Sequence, residues 1–214
     1  MLTLFFSGLL GYLLGSVPTA FLLVRWKLKR DIRSLGSGNV GTLNSFEVTG
    51  SKLVGVLVLV IDLLKGAVPV ALAGLLWEGS FPHEAFAAVG ALLGHNFPIW
   101  LKFRGGRGLA TGAGTIFMLC WPLVVAWGAI WTLAFLLIRR VNPANAAASL
   151  LLLLLVELVP QGMLSALLSA NIGVSEFRLF IAVALLIILV KHLEPVGAYI
   201  REMSNARGEE KQKT

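Results

Sequence analysis

Long uncharged segments constrain the fold of this chain more than any other feature. Residues 1–24 carry no charged side chain, and residues 109–138 form a run of 30 uncharged residues. A helix of about 20 apolar residues crosses the roughly 30 Å hydrocarbon core of a bilayer. These runs therefore predict an integral membrane protein built from α-helices.

Composition supports this class and excludes others. Charged residues make up 14% of the chain, against about 25% in soluble domains, and mean hydropathy is +0.85. A net charge of +7 on so apolar a chain excludes a soluble nucleic-acid binder and a disordered tail protein. The single cysteine, Cys120, permits no intramolecular disulfide, and the three scattered histidines form no metal site. We therefore expect no metal and no cofactor.

Six apolar segments are candidate membrane crossings: residues 1–24, 53–77, 85–101, 109–138, 145–159 and 177–190. The first is expected to be a retained helix rather than a removed signal peptide, because no basic residue precedes it. Short cytoplasmic loops collect Lys and Arg. Most of the basic residues cluster in four places: residues 25–33, 102–107, 139–140 and the tail. This distribution predicts an amino terminus outside the cell and these four segments in the cytoplasm.

Residues 109–138 must then cross the bilayer an even number of times, since basic segments flank them on both sides. At about 1.5 Å per residue they make two helices of roughly 22 Å, with a turn near Trp121-Pro122. The sequence thus predicts about seven transmembrane helices and a cytoplasmic carboxyl terminus. The alternative is one long tilted helix, which gives six crossings. Residues 1–203 form the membrane domain, and the polar tail 204–214 is expected to be disordered.

The first glycine-rich segment with candidate chemistry is residues 33–44. Gly and Ser favour turns there, and a turn of this kind exposes consecutive backbone N–H groups that bind an anion. The candidate residues are Gly36, Ser37, Gly38, Asn39, Gly41 and Asn44. The alternative is an ordinary turn that caps a helix beginning near Asn44.

The second glycine-rich segment, residues 94–108, carries three cations. Its candidate phosphate ligands are Lys102, Arg104, Gly105, Gly106, Arg107 and Gly108. A helix expected to begin near Leu109 adds an amino-terminal dipole, which attracts phosphate. The spacing does not match a Walker loop. The alternative is that the cations only set topology by contacting anionic lipid.

Other polar residues lie within or beside the crossings. His95 lies near the inner end of a crossing, where an ionisable residue is a functional candidate. Asp62 and Lys65, three residues apart on one helix, predict a structural ion pair. His192 is expected to face the same surface as the glycine-rich loops. The tryptophans mostly match aromatic belts at the membrane interfaces, so we expect no ligand role for them.

Several sequence blocks, taken in order, are similar to a known family. They are Gly15-Ser16-Val17-Pro18, Asp31-Ile32-Arg33, Gly36 to Gly41 with Asn44, Gly50-Ser51-Lys52, Asp62 to Gly66, and Gly94 to Thr111. With these blocks the chain resembles, over nearly its whole length, the bacterial acyl-phosphate-dependent glycerol-3-phosphate acyltransferases, often called PlsY. Like that family, it lacks the H-x-x-x-x-D motif of other acyltransferases.

The resemblance implies a seven-helix enzyme of phospholipid synthesis in the bacterial plasma membrane, with its active site facing the cytoplasm. The implied reaction moves a fatty acyl group from acyl phosphate to the sn-1 hydroxyl of glycerol 3-phosphate, giving lysophosphatidate. Its partners are these two substrates and membrane lipid, without nucleic acid. Together with electrostatics, the resemblance gives Ser37, Asn39 and His95 catalytic roles and adds Thr111 and His192 to the binding residues. No Ser-His or Cys-His dyad is evident, so direct attack by the acceptor hydroxyl is expected.

The chain departs from the family pattern on the acceptor side. Glu47 stands where the family usually has Arg, Pro143-Ala144-Asn145 replaces a Ser-rich motif, and Pro195 replaces an Asn. The chain is therefore either a divergent member or a paralogue with a different acceptor or weakened catalysis. A small-anion transporter is a further alternative, although the polar residues cluster at one face rather than along whole helices.

Overall fold

The computed structural model describes residues 1–169 and 171–213, with side chains up to residue 206. Within these residues the chain is helical and contains no β-strand. The helices are α1 (Leu2–Gly15), α2 (Thr19–Leu28), α3 (Thr42–Thr49), α4 (Lys52–Leu76), α5 (Phe81–Asn96), α6 (Leu109–Ile138), α7 (Val141–Leu158), α8 (Gln161–Ser165), α9 (Val174–Val190) and α10 (Leu193–Lys213). Short 3₁₀ turns at Ile32–Ser34 and Ile99–Leu101 lie in the basic loops.

Small residues let the helices approach closely. A Cβ on Gly11 or Gly15 of α1 would overlap the backbone of α5, and one on Gly90 or Gly94 of α5 would overlap α1. Gly66 of α4 has the same relation to the backbone of α6. Helices in a bilayer associate through close van der Waals packing of this kind, because lipid offers no hydrophobic driving force between them.

The largest buried apolar cluster lies among α5, α6, α7 and α9. Its largest fully buried side chains include Phe177, Leu92, Leu152, Ile181 and Leu185. A smaller cluster, centred on Ile32 and Val24, lies under the first basic loop. The glycine-rich loops therefore rest on packed helices.

Helix α6 folds back on itself at Cys120. Cys120 has an extended backbone (φ −162°, ψ 78°), and Pro122 follows two residues later. A straight helix of this length would be about 45 Å long. Arg107, just before α6, nevertheless donates a hydrogen bond of 2.8 Å to Asn142, just after it. Both ends of residues 109–138 therefore lie together, as the prediction of two short helices requires.

Four helical segments of the described chain are long and apolar enough to cross a bilayer: Leu2–Leu28, Lys52–Leu76, Leu109–Ile138 and Val141–Leu158. The pair Val174–Val190 and Leu193–Ala206, bent by 52°, makes a fifth candidate. The all-helical membrane class is thus confirmed. The count of seven crossings and the side on which each terminus lies stay predictions.

The polar tail has a helical backbone, and its disorder stays a prediction. The backbone of residues 204–213 continues helix α10, while Thr214 lies outside the described residues. The tail is rich in Arg, Glu, Lys and Gln, which are strong helix formers, and helix propensity can therefore extend α10 beyond its contacts with α7.

Candidate active site

One cavity collects polar groups from both glycine-rich loops. It has a volume of about 290 Å³ and is called the polar cavity below. Its lining residues are Asn39, Gly41, Thr42, Leu43, Leu59, Asp62, Leu63, His95, Arg107, Gly108, Leu109, Ala110, Ala113, Trp127, Val141, Asn142 and Asn145. Residues far apart in sequence thus meet at one site.

Three helices begin at the polar cavity. Helix α3 starts after Gly41, α6 after Gly108 and α7 after Arg140, and none of these three residues caps its helix with a side chain. The first N–H groups of a helix have no partner within that helix, and the helix dipole adds partial positive charge there. A helix amino terminus favours an anion, so this cavity with three of them is a candidate anion site.

Arg107 supplies the positive charge of the cavity. Its Nη1 donates to Asn142 Oδ1 at 2.8 Å, which orients the guanidinium. Burial lowers the pKa of Arg107 from its ordinary value, and the negative charge of Glu194 opposes this shift. An arginine guanidinium keeps its proton in proteins, so the cavity contains a fixed cation.

A chain of buried polar side chains borders the cavity. Lys65 Nζ lies 2.9 Å from Asp62 Oδ1 and donates to the Val17 carbonyl at 2.9 Å. The other Asp62 oxygen lies 3.9 Å from His95 Nδ1. The predicted Asp62–Lys65 ion pair is therefore present, and Lys65 also bonds the backbone at the break between α1 and α2. Both Asp62 and His95 line the cavity.

Asn44 organises the first glycine-rich loop from within. Its Oδ1 accepts the Ser37 N–H at 3.0 Å, and its Nδ2 donates to the Leu35 and Asn39 carbonyls at 3.2 and 2.9 Å. Gly36 has φ +53°, and a Cβ there would overlap Asn44 Oδ1. The Asn44 amide is thus occupied by the loop, which differs from its predicted role as a substrate ligand.

The remaining residues of this loop divide into two groups. Asn39 and Gly41 line the polar cavity, as their predicted roles require. Ser37 is exposed and does not line it, and its N–H already bonds Asn44. Gly36 and Gly38, both with positive φ, shape the turn rather than the cavity wall. The loop therefore contributes Asn39 and the start of α3 to the cavity.

The second glycine-rich loop packs on the end of α5. The Gly105 N–H donates to the Asn96 carbonyl at 3.2 Å, and the Gly106 N–H donates to the His95 carbonyl at 3.1 Å. These two groups are thus not free to cradle a phosphate as predicted. A Cβ on Gly106 would overlap His95 Nε2, so this glycine sets the position of the imidazole. Gly108 (φ +83°) lines the cavity and leads into α6.

The three predicted phosphate-binding cations divide between two places. Arg107 lines the polar cavity, whereas Lys102 and Arg104 line a separate groove with Asp31, Arg33 and Ser34. The three cations belong to one loop but do not line one common cavity.

Thr111 and His192 lie outside the polar cavity. Thr111 is fully buried where α4 meets α6. His192 is also buried, with Nδ1 2.9 Å from the Ile188 carbonyl oxygen. The Thr111 hydroxyl oxygen and His192 Nε2 are buried without a hydrogen-bond partner among the described residues, and the binding roles of these two residues stay predictions.

Asn142 and Trp127 line the polar cavity, and the sequence predicted no ligand role for either residue. Asn142 follows the basic Arg139-Arg140 pair, and an Asn at the start of an apolar helix is the signal that could have identified it. Trp127 belongs to the set assigned to aromatic belts, but its indole lines the cavity and donates to Ser149 Oγ at 3.1 Å. Glu47, in contrast, is exposed on α3 and does not line the cavity.

Comparisons with known proteins identify the family of this chain. The model of the Glycerol-3-phosphate acyltransferase family matches residues 5–202. A Glycerol-3-phosphate acyltransferase of Gluconobacter oxydans is 43% identical over 68% of this chain and 69% of its own. One of Nitrobacter winogradskyi is 40% identical over 87% of each chain.

The fold of this chain is also similar to that of a solved structure. The crystal structure of PlsY (YgiH), an integral membrane glycerol 3-phosphate acyltransferase in its glycerol 3-phosphate form, superposes with a TM-score of 0.77. It is 28% identical and covers 93% of this chain and 92% of its own. Its lysophosphatidic acid form superposes with a TM-score of 0.75. The chain therefore belongs to the glycerol-3-phosphate acyltransferase family and is an integral membrane acyltransferase of lipid biosynthesis.

Proposed function

We propose that this chain transfers a fatty acyl group from acyl phosphate to the sn-1 hydroxyl of glycerol 3-phosphate in the polar cavity, giving lysophosphatidate. The observation that carries the proposal is the convergence of three uncapped helix amino termini and Arg107 on one cavity. Both substrates carry a phosphate, which such groups bind. The glycerol 3-phosphate and lysophosphatidic acid forms of the PlsY relative support the acceptor and the product.

The reaction needs no covalent enzyme intermediate. The acceptor hydroxyl oxygen attacks the acyl carbonyl carbon and forms the ester bond as the bond from that carbon to the phosphate oxygen breaks. The hydroxyl proton ends on the departing inorganic phosphate. Since phosphate is already a good leaving group, the protein has to hold both substrates in place and stabilise the developing negative charge.

The lining residues fit these tasks. Arg107 and the amino terminus of α6 hold phosphate, and Asn142 fixes the guanidinium. Asn39 presents an amide to the same cavity, and His95, near Asp62, orients a substrate hydroxyl. Leu43 and Leu59 are exposed apolar side chains that line the cavity, and they offer contacts for the acyl chain.

The topology proposed with this function places the polar cavity on the cytoplasmic side of the bacterial plasma membrane. The supporting evidence is the basic content of the segments that border it, since Lys and Arg collect in cytoplasmic loops. Amino terminus outside and carboxyl terminus inside follow from the same rule.

An acceptor without a phosphate is a second candidate. Arg107 is the single cation among the residues that line the polar cavity, and Asp62 is the single carboxylate. In this candidate, the Arg107 guanidinium would bind only the phosphate of the acyl phosphate. In this version the exposed position of Glu47 has no effect on acceptor choice.

Acyl transfer by the purified protein tests both candidates. The protein, in lipid nanodiscs, is given palmitoyl phosphate with glycerol 3-phosphate, glycerol or other phosphorylated and free polyols. Esters are identified by mass spectrometry, and inorganic phosphate is counted. We expect lysophosphatidate and one phosphate per ester. An ester formed only with an unphosphorylated polyol would replace the first candidate with the second, and no ester with any acceptor would overturn both.

A further inference from the structure

A second charged depression lies apart from the polar cavity. We call it the basic groove; it measures about 550 Å³ and is lined by Asp31, Arg33, Ser34, Lys102 and Arg104. It shares no lining residue with the polar cavity. Three cations and one carboxylate leave it with an excess of positive charge, and the reaction proposed above does not use it.

Arg33 and Asp31 neutralise one another at the base of the groove. Arg33 Nη2 lies 2.6 Å from Asp31 Oδ2, and Nη1 donates to the Leu101 carbonyl at 3.0 Å. The guanidinium also lies over the ring of Phe21, 5.6 Å from its centre. The hydrogen bond from Arg33 lowers the pKa of Asp31, so this carboxylate stays ionised at neutral pH. Arg33 is thereby fixed in place, and the excess charge belongs to the other two cations.

Lys102 and Arg104 are held out from the protein by an unusual turn. Lys102 has φ +54° and Phe103 has φ +62°, two consecutive left-handed residues that are not glycine. Such strain persists where surrounding contacts impose it, and it concentrates at functional sites. The Phe103 and Arg104 N–H groups bond the Pro98 and Leu101 carbonyls at 3.0 and 3.2 Å. Within the described residues, neither Lys102 nor Arg104 has a carboxylate partner.

The same turn exposes large apolar side chains next to these cations. Trp100 is 64% exposed, Phe103 58% and Ile99 53%. The Trp100 indole is nevertheless fixed, since Nε1 donates to Ser16 Oγ at 2.9 Å. Aromatic side chains in this position are typical of the lipid headgroup region, where an apolar ring and a polar edge are both satisfied. A cation beside such aromatic side chains therefore lies at the level of the lipid phosphates.

We propose that the basic groove binds the phosphate headgroup of an anionic membrane lipid, through Lys102 and Arg104, while the exposed apolar side chains of the same turn contact its acyl region. Arg33, which Asp31 holds in place, forms the floor of this site, and the uncharged Ser34 lines its side. We assign the site to a lipid rather than to soluble phosphate because exposed apolar side chains border the two cations. The polar cavity remains the site of acyl transfer.

Lipid binding by the purified full chain tests this assignment. The detergent-solubilised protein is titrated with phosphatidylglycerol, with zwitterionic phosphatidylcholine and with inorganic phosphate, and bound molecules are counted by native mass spectrometry. The groove variant is Lys102→Gln with Arg104→Gln. The matched control is Arg139→Gln with Arg201→Gln, which removes the same charge from exposed positions outside the groove; Arg139, like Lys102, is left-handed (φ 55°).

We expect phosphatidylglycerol to bind the native protein more tightly than phosphatidylcholine. The groove variant should lose roughly twenty- to thirty-fold in this affinity, since each basic residue near an anionic surface contributes about a five-fold factor. The control should change by less than about two-fold, because in the proposal these two cations do not contact the lipid held in the groove and exposed charges at a distance are screened by salt. Lys102→Arg with Arg104→Lys keeps the charge and should keep the binding, which separates a lost site from a misfolded protein.

Three results would overturn the proposal. An equal loss in the control variant would mean diffuse attraction instead of a site. Unchanged affinity in the groove variant would place lipid elsewhere. Inorganic phosphate that binds the groove as tightly as the lipid would make it a soluble phosphate site. No acyl transfer is measured, so each outcome is independent of the proposed function.

Discussion

Arg107 and Asn142, 35 positions apart, are joined by a hydrogen bond of 2.8 Å between Nη1 and Oδ1. The bond links the second glycine-rich loop to the start of α7, and it is possible only because α6 turns back at Cys120. It also orients the one cation of the polar cavity. Site geometry and helix topology therefore depend on each other in this protein.

Removal of the Arg107 charge should impair acyl transfer. A hydrogen bond to a charged group contributes about 1.5–3 kcal/mol, so Arg107→Gln is expected to lower kcat/KM by about ten- to a hundred-fold. Asn142→Ala should have a smaller effect, and the double variant should lose less than the sum of the two, because both act on one contact. Steady-state kinetics of the four proteins measure this coupling, and strictly additive losses would mean that Asn142 does not orient Arg107.

A methyl group at Gly106 should displace His95. The added Cβ would overlap His95 Nε2 and lie 2.6 Å from the Val40 carbonyl oxygen. Overpacking of this kind costs about 1–3 kcal/mol, and we expect Gly106→Ala to lower both the melting temperature and the turnover number. Gly128→Ala in α6 is the control, since a Cβ there meets nothing within 4 Å. A Gly106→Ala protein with native stability and activity would show that His95 has no fixed position to lose.

The Asp62–Lys65 ion pair should matter most when one partner is removed. Asp62→Asn leaves the Lys65 charge buried, and breaking a buried pair costs about 3–5 kcal/mol. Replacing both, as Asp62→Asn with Lys65→Met, should recover part of that stability. Thermal unfolding in nanodiscs compares the three variants. A double variant less stable than Asp62→Asn would mean that the Lys65 bond to the Val17 carbonyl, rather than the ion pair, holds this region.

The fold-back of α6 makes a topological prediction. In a Cys120→Ser background, single cysteines at residues 25–33, 102–107 and 139–140 should label from the cytoplasmic side, and one at Trp121 from the outside. The reason is that the basic segments flank two short crossings. Membrane-impermeant thiol reagents on intact cells and on inverted vesicles make the measurement. Labelling of position 121 from the cytoplasm together with position 139 from outside would exclude the seven-crossing topology.

Charge reversal at Glu47 should have little effect on acyl transfer. Glu47 is exposed and lies outside the polar cavity, so its carboxylate does not face a bound phosphate. We expect Glu47→Arg to change kcat/KM by less than about two-fold, as surface substitutions usually do. A native protein that uses glycerol 3-phosphate well and is inactivated by Glu47→Arg would contradict this placement. New glycerol 3-phosphate activity in the variant would contradict this placement as well, because Glu47 would then act on acceptor choice.

The sequence by itself determined the class of the protein and the segments that carry its chemistry. Uncharged runs longer than a bilayer requires leave helices as the only way to satisfy the backbone in lipid. The glycine-rich segments and the Asp62–Lys65 spacing are local patterns, and local patterns can be seen without knowledge of the fold. The family resemblance rested on the same blocks. The helical class, the ion pair and the family were predicted correctly for this reason.

Only the tertiary structure decided which of the predicted residues share a cavity. Asn44, Gly105 and Gly106 have the composition of an anion site, but their polar groups bond neighbouring backbone, since buried hydrogen-bonding groups must be satisfied. Lys102 and Arg107 are five residues apart yet line different cavities. Lys102 and Phe103 both have a left-handed backbone, which turns the chain before it reaches Arg107. The meeting of three helix amino termini depends on contacts between residues as distant as Asn39, Arg107 and Asn142, and no local pattern specifies such contacts.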